Sequence, residues 1–275
     1  MPLTIQLHTP SSIPLEVDSV LLGQVREQSA DEVARTLIYR GNKQVPLAEF
    51  FSVTGSASDD QTIVWQGDCA KVKHIGAKLT SGTIRVEGNA GMHLGAEMTG
   101  GEIICTGNTA DWVGAEMRGG RITIHGDAGH LVGAVYRGGR RGMRGGEILI
   151  HGRAGNEVGH TMRRGLIAIG GSVGDAVGLG MIAGTILVFG EAGIRHGAGM
   201  KRGTLGFLAG QPALDVLPTF RATGQSRPLF LKIYLDHLRQ AGFPVSDECF
   251  DSSYRSYRGD LLELGLGEML VRQSA

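Results

Sequence analysis

The chain has 275 residues, of which 41% are hydrophobic and 20% charged, so it can bury the core of an ordinary globular protein. Its 27 basic and 27 acidic residues balance, which gives no reason to expect nucleic acid or an anionic membrane as a partner. The three cysteines are widely spaced without a CxxC pair, which argues against a disulfide framework or a zinc knuckle. With no leader-like amino end and no long apolar run, we expect a cytoplasmic protein.

The first 66 residues predict a small amino-terminal cap. The segments LTIQL and IPLEV are strand-like, and a short helix is expected after Ser29. Glu32, three residues later, completes a capping box with Ser29.

Residues 67–208 repeat themselves, and glycine marks the period. The copies begin at Gly67, Gly88, Gly107, Gly126, Gly152, Gly171 and Gly190, at intervals of 21, 19, 19, 26, 19 and 19 residues. In the regular copies glycine returns at offsets 0, 7 and 13, and a short alternating stretch such as GRITI follows. Short strands bounded by glycine at a fixed period predict an all-β chain, a parallel β-helix of about seven coils of ~19 residues.

Four apolar columns are expected to form the interior of the β-helix, because equivalent residues of stacked coils face the same way. They are Ile84, Ile103, Ile122, Ile148, Ile167, Ile186 and Leu205; Val86, Cys105, Ile124, Ile150, Ile169, Val188 and Phe207; Ile75, Leu94, Val113, Val132, Val158 and Val177; and Leu79, Met98, Met117, Met143, Met162, Met181 and Met200. Cys105 is therefore expected to be a packing thiol, and the methionines to be core residues.

Residues 209–275 predict a carboxy-terminal extension that contains one amphipathic helix. The helix is expected over 228–240, against the β-helix, and Gly242 ends it. Its expected apolar side consists of Leu229, Leu231, Tyr234, Leu235 and Leu238.

Three segments in this order resemble one family across nearly the whole chain. They are SADEVARTLIYRGNKQVPLAEFFSVTG (29–55), the repeat GxAGxxVGxxMxxGxIxI, and YRGDLLELGLGEML (257–270). Together they resemble the C subunit of formylmethanofuran dehydrogenases and of the related bacterial formyltransferase/hydrolase complex. Leu266 departs from the pattern, since the family is expected to carry a lysine there.

The resemblance implies a right-handed β-helix that acts as a non-catalytic scaffold in one-carbon metabolism. It implies three partners, namely a dizinc amidohydrolase-type subunit, a formyltransferase subunit and one further polypeptide. They would move a formyl group from tetrahydromethanopterin to a methanofuran-type cofactor and hydrolyse the product to formate. Zinc and both cofactors are expected in the partner subunits and not in this chain. Whether the complex is also a tungsten or molybdenum dehydrogenase stays open.

An arginine cluster is the candidate binding site. It comprises Arg118, Arg137, Arg140, Arg141, Arg144 and Arg163, with either Arg137 or Arg144 continuing the column of Arg118 and Arg163. The seven-residue insertion in the fourth copy is expected to loop outward at a corner. Two interpretations stand: a solvated face partly neutralised by Glu97 and Glu116, or a docking strip for an acidic partner or the polyglutamate tail of a methanofuran-type cofactor.

No set of residues predicts catalysis or a metal site in this chain. His125 and His151 occupy equivalent positions, about 5 Å apart if the coils stack, but no carboxylate is expected beside them. Asp111, Asp127 and Asp175 stand in separate columns without a calcium-binding nonapeptide.

Two other functions stay open. The first is a structural module related to the carboxy-terminal domain of glutamate synthases, which has a similar repeat. A hexapeptide acyltransferase is the second, although the residues before the offset-13 glycines break its pattern.

Overall fold

The computed structural model describes residues 1–210 and 214–273, so part of the predicted extension at 209–275 lies outside them. The strands are β1 (Leu3–Leu7), β2 (Leu15–Glu16), β3 (Leu37–Arg40), β4 (Lys43–Pro46), β5 (Phe51–Thr54), β6 (Thr62–Gln66), β7 (Val72–Lys73), β8 (Thr83–Glu87), β9 (Glu102–Cys105), β10 (Arg121–Ile124), β11 (Arg144–Ile150), β12 (Arg164–Ile169), β13 (Thr185–Val188), β14 (Arg202–Phe207), β15 (Arg221–Ser226), β16 (Tyr254–Gly259) and β17 (Leu266–Arg272). The α-helices are α1 (Leu22–Val25), α2 (Ala30–Ala34), α3 (Leu229–Gln240) and α4 (Glu248–Asp251), and a 3-10 helix covers Leu47–Glu49.

One parallel ladder runs through the repeat and forms the long face of a β-helix. Strands β6, β8, β9, β10, β11, β12, β13 and β14 pair in that order, each with the equivalent strand of the next coil. Ile122, for example, pairs with Ile103 on one side and Ile148 on the other. The predicted stacking register is therefore confirmed along this face.

The four apolar columns face the interior. Every residue that the sequence assigns to them is at most 5% exposed, including Cys105 and the methionines. In the last coil the third column continues with His196, which is 1% exposed. Its Nδ1 lies 3.3 Å from the Val177 amide and its Nε2 lies 2.9 Å from the Gly193 carbonyl oxygen. Burial lowers the pKa of His196, so the ring is a neutral member of the core.

Steric constraints explain why glycine recurs at offset 7 of the coils. Gly114 has a φ of +59°, a left-handed conformation that costs other residues energy. A Cβ at this position would lie 2.5 Å from Cδ1 of Ile148, in a neighbouring coil. A Cβ added at Gly95 would likewise lie close to Cδ1 of Ile122, and one added at Gly133 close to Cδ1 of Ile167. The glycine period thus follows from both the corner backbone and the interior column.

Both ends of the ladder are covered by strands from the flanking segments. At the amino end β1 pairs with β6 in parallel and with β5 antiparallel. At the other end β17 adds to β14 in parallel and continues antiparallel into β16 and β15. These added strands protect edges that would otherwise pair with other chains.

The predicted capping box in the amino-terminal segment is also present, since Ser29 Oγ accepts from the Glu32 amide and Glu32 accepts from the Ser29 amide.

Helix α3 lies on the outer face of the sheet. Leu231, Leu235 and Leu238 are buried there in a second apolar cluster with Leu149 and Leu187. The expected helix is confirmed, but the prediction that Leu229 lies on its apolar side is wrong, since Leu229 is 75% exposed. The helix begins at Leu229, and the later residues set its buried face.

Candidate functional site

The insertion of the fourth coil forms an exposed loop. The Met143 amide donates to the Gly133 carbonyl at 2.8 Å, which closes the coil at the base of the loop. Arg137, Arg140 and Arg141 are all exposed on it. None of their guanidinium groups forms an ion pair with the part of the chain that the structure describes.

Arg144, and not Arg137, continues the arginine column. The amides of Arg118, Arg144 and Arg163 donate to the methionine carbonyls of the preceding coils, at 2.6–2.8 Å. Arg144 lies 3.8 Å from Glu116, and its buried Nε has no hydrogen-bond partner among the described residues. The column is thus neutralised at one member, while Arg118 and Arg163 have no ion-pair partner within residues 1–210 and 214–273.

A groove of about 860 Å³ lies between this corner of the β-helix and α3, and we call it the basic groove. Its lining includes Arg141, Arg163, Arg164, Lys201 and Arg202, with Glu147 as the carboxylate. The structure therefore brings two of the six predicted arginines, Arg141 and Arg163, to one cavity. The other four, Arg118, Arg137, Arg140 and Arg144, do not line it.

A second row of side chains joins the arginine loop to the β-helix. His74, His93 and Trp112 stack on consecutive coils, with ring centroids 4.5 and 5.6 Å apart. The Tyr136 hydroxyl, from the loop, lies 3.0 Å from His93 Nδ1. Burial, with the neighbouring His74 a smaller cause, lowers the pKa of His93 to about 4, so the ring is neutral at pH 7.

Sequence reasoning missed this row because its members differ in type along the column. All three ring-bearing positions have φ near +60°, a conformation that apolar periodicity does not reveal. The contact with Tyr136 spans 43 residues.

The aspartates considered for calcium instead hold neighbouring coils together. Asp127 Oδ1 accepts from the Arg153 amide at 2.7 Å, and Asp111 Oδ1 accepts from the His130 amide at 2.7 Å. Asp175 Oδ1 accepts from the Ile194 amide in the same way. These carboxylates satisfy backbone donors at corners, which is a structural task.

The predicted histidine pair is present. The rings of His125 and His151 are 4.8 Å apart between centroids, and Phe243 lies against His151. Burial is the largest cause of the lowered pKa of His151, and the neighbouring His125 lowers it further. No three His, Cys, Asp or Glu side chains come together as a metal site within the described ranges.

Membrane insertion has no candidate segment in the described ranges. None of their helices has both the length and the apolar character to cross a bilayer.

Comparison with known proteins places the repeat in a defined family. Residues 65–214 match the model of the GXGXG motif. The C subunit of the tungsten-containing formylmethanofuran dehydrogenase 2 of Methanococcus maripaludis is 38% identical over 90 residues, 33% of each chain. The C subunit of the molybdenum-containing formylmethanofuran dehydrogenase 1 of Methanosarcina barkeri is 40% identical over 83 residues, 29% of this chain and 28% of that one. These matches span about a third of the relatives' length.

A solved structure matches the chain from end to end. It is a chain in the crystal structure of the formyltransferase/hydrolase complex (FhcABCD) from Methylorubrum extorquens in complex with methylofuran. The TM-score is 0.89 at 32% identity, and the match covers 99% of this chain and 100% of that one. The chain therefore belongs to the GXGXG-motif family, as do the C subunits of the formylmethanofuran dehydrogenases and the matching chain of the Methylorubrum extorquens complex.

Proposed function

We propose that the chain is a non-catalytic scaffold subunit of a cytoplasmic formyltransferase/hydrolase complex in one-carbon metabolism. The observation that carries this proposal is the end-to-end match to a chain of the FhcABCD complex. In the proposed complex, an amidohydrolase-type and a formyltransferase subunit transfer the formyl group from tetrahydromethanopterin to a methanofuran-type cofactor and hydrolyse it to formate. One further polypeptide completes the assembly.

The chemistry of the described residues supports a scaffold. Formyl hydrolysis or transfer needs a nucleophile, a base or a metal at one site. Burial raises the pKa values of the cysteine thiols, that of Cys69 to about 12, which keeps them protonated and weakly nucleophilic. The pair of His125 and His151 gains no third metal-ligating side chain from the residues that the structure describes. The groove beside α3 is lined by five cationic side chains, which suits the docking of an anionic partner.

Activity and assembly together test the scaffold role. The purified chain should neither hydrolyse a formyl amine nor transfer a formyl group, whereas the four co-expressed subunits should do both. Omitting this chain should prevent the catalytic subunits from co-purifying as one complex. Turnover by the isolated chain, or an intact active complex formed without it, would contradict the proposal.

We further propose that the exposed arginines dock either an acidic partner surface or the polyglutamate tail of a methanofuran-type cofactor. Arg137, Arg140 and Arg141 are exposed without an ion pair in the described part of the chain. Several such charges facing an acidic surface act together, although each exposed pair contributes only about 0–1 kcal/mol.

Charge reversal on the loop tests this docking role. Arg140→Glu with Arg141→Glu should leave the melting temperature nearly unchanged, because both side chains are exposed. It should weaken the association of the subunits or raise the KM for a polyglutamylated substrate, most strongly at low salt. Arg221→Glu, at an exposed arginine on β15, is the control for charge reversal outside the loop. If assembly and kinetics at low salt equal those of the control, the loop is a solvated face.

A further inference from the structure

The basic groove has a floor built from successive coils and a wall built from the carboxy-terminal extension. The floor comes from residues 146–147, 163–166, 182–184 and 201–202, and the wall from α3 and Leu264. Tyr234 fixes the wall, because its hydroxyl lies 3.3 Å from Thr185 Oγ1 on β13. The groove is therefore defined by packed elements on both sides.

The charge in the groove is strongly one-sided. Five cationic side chains line it, with Glu147 as the carboxylate among the lining residues. That carboxylate is already held by Arg121, at 2.9 Å, and by His237. Arg163, Arg164 and Arg202 form no ion pair in the described part of the chain, while Lys201 lies 3.8 Å from Glu263. The floor thus offers guanidinium groups with free donors.

The rim of the groove is apolar and exposed. Ile233 is 66% exposed and Leu264 is 55% exposed, and both line the groove. Leu266, which is 53% exposed, pairs directly with Arg202 across β14 and β17. Leu261 and Leu262, close to Leu264 in the sequence, are 48% and 82% exposed. Apolar side chains grouped beside a cavity are typical of a protein-binding site.

We propose that the basic groove binds an extended segment of a partner polypeptide in which acidic and apolar side chains alternate. The cationic floor matches the carboxylates, and Ile233, Leu264 and Leu266 match the apolar side chains. The coils that carry Arg163 and Arg202 lie two steps apart, about 10 Å along the stack at the usual strand spacing, so an extended ligand spans the cationic floor better than a compact anion does. This assignment rests on the proposed function for the existence of partner subunits.

Peptide binding to the isolated full-length chain tests the proposal. The probe is a short fluorescent peptide of alternating glutamate and leucine, measured by fluorescence anisotropy at low salt. Its controls are a poly-γ-glutamate of equal charge and a peptide of alternating lysine and leucine. The alternating acidic peptide should bind at least about tenfold more tightly than either control, because only it matches both floor and rim.

Variants of the groove separate its two parts. Arg163→Glu with Arg202→Glu should weaken binding of the acidic peptide about tenfold or more, whereas Arg221→Glu outside the groove should not. Ile233→Ser with Leu264→Ser should remove the preference over poly-γ-glutamate, and both residues are exposed, so folding is retained.

Several results would overturn this assignment. They are equal binding of poly-γ-glutamate, equal binding of the basic peptide, insensitivity to the charge reversal, or no binding at all. Each would leave the scaffold role untouched, because that role is tested by co-purification and not by peptide binding.

Discussion

Replacing Gly114 with alanine tests why glycine recurs in every coil. The new methyl would lie 2.5 Å from Ile148 Cδ1 and 3.3 Å from Ile122 Cδ1, on a backbone with φ of +59°. The left-handed conformation costs an L-residue about 1–2 kcal/mol, and overpacking a core costs about 1–3 kcal/mol. The less flexible unfolded chain offsets about 0.4–1 kcal/mol. We expect a net loss of about 1–5 kcal/mol in the free energy of unfolding.

A control glycine and a double-mutant cycle separate the two contributions. Gly138 has φ of +83° but no atom within 4 Å of an added Cβ, so Gly138→Ala should cost only about 1 kcal/mol or less. Ile148→Val removes the Cδ1 atom that the new methyl would meet. In that background Gly114→Ala should cost about 1 kcal/mol less than in the unmodified chain.

Denaturant unfolding followed by circular dichroism measures all four proteins of the cycle and the Gly138 control. Strict additivity of the Gly114 and Ile148 changes would refute the steric part of this reasoning. Equal costs at Gly114 and Gly138 would leave backbone conformation alone as the reason for the glycine.

Three other changes test the interior, the corners and the histidine row. Ile148→Asp buries a charge at a position that is 0% exposed, so an unchanged melting temperature would disprove the coil register. Asp127→Ala should cost about 1 kcal/mol in chemical unfolding, because the Arg153 amide loses its acceptor, whereas Asp127→Asn should cost less. The lowered pKa of His93 means that stability is lost as the pH falls from about 6.5 to 4. His93→Gln should reduce this loss in melting scans, and equal pH profiles would reject that role.

Periodicity predicted the interior of the β-helix but not its outer face. A repeat determines which positions point inward, so the isoleucine and methionine columns follow from the glycine period and from the apolar residues that recur at fixed offsets within it. The outer face depends on a segment far away in the chain, because Leu149 and Leu187 are buried only where α3 covers them. One substitution in the sequence does reflect the covered face, since the position of Thr123 in an uncovered coil is occupied by Leu149 in the next coil.

For the candidate site too, the repeat predicts positions within the coils but not the contacts made by distant segments. The column of Arg118, Arg144 and Arg163 follows from the register of the coils. The basic groove does not, because its wall comes from α3 and from Leu264, whose positions depend on long-range packing. The exposed position of Leu229 shows the same limit, since amphipathic spacing alone does not say where a helix meets its neighbour.

A stacked architecture also constrains what can bind to it. Equivalent side chains of neighbouring coils stand about 4.8 Å apart, so like charges in one column repel unless an anion lies along them. Glu116 neutralises Arg144, but Arg164 and Arg202, which hold equivalent positions two coils apart, line the basic groove without an ion-pair partner in the described chain. A compact anion would reach one coil, whereas an extended chain reaches several. The linear spacing of the cations therefore favours an extended acidic ligand over a small one.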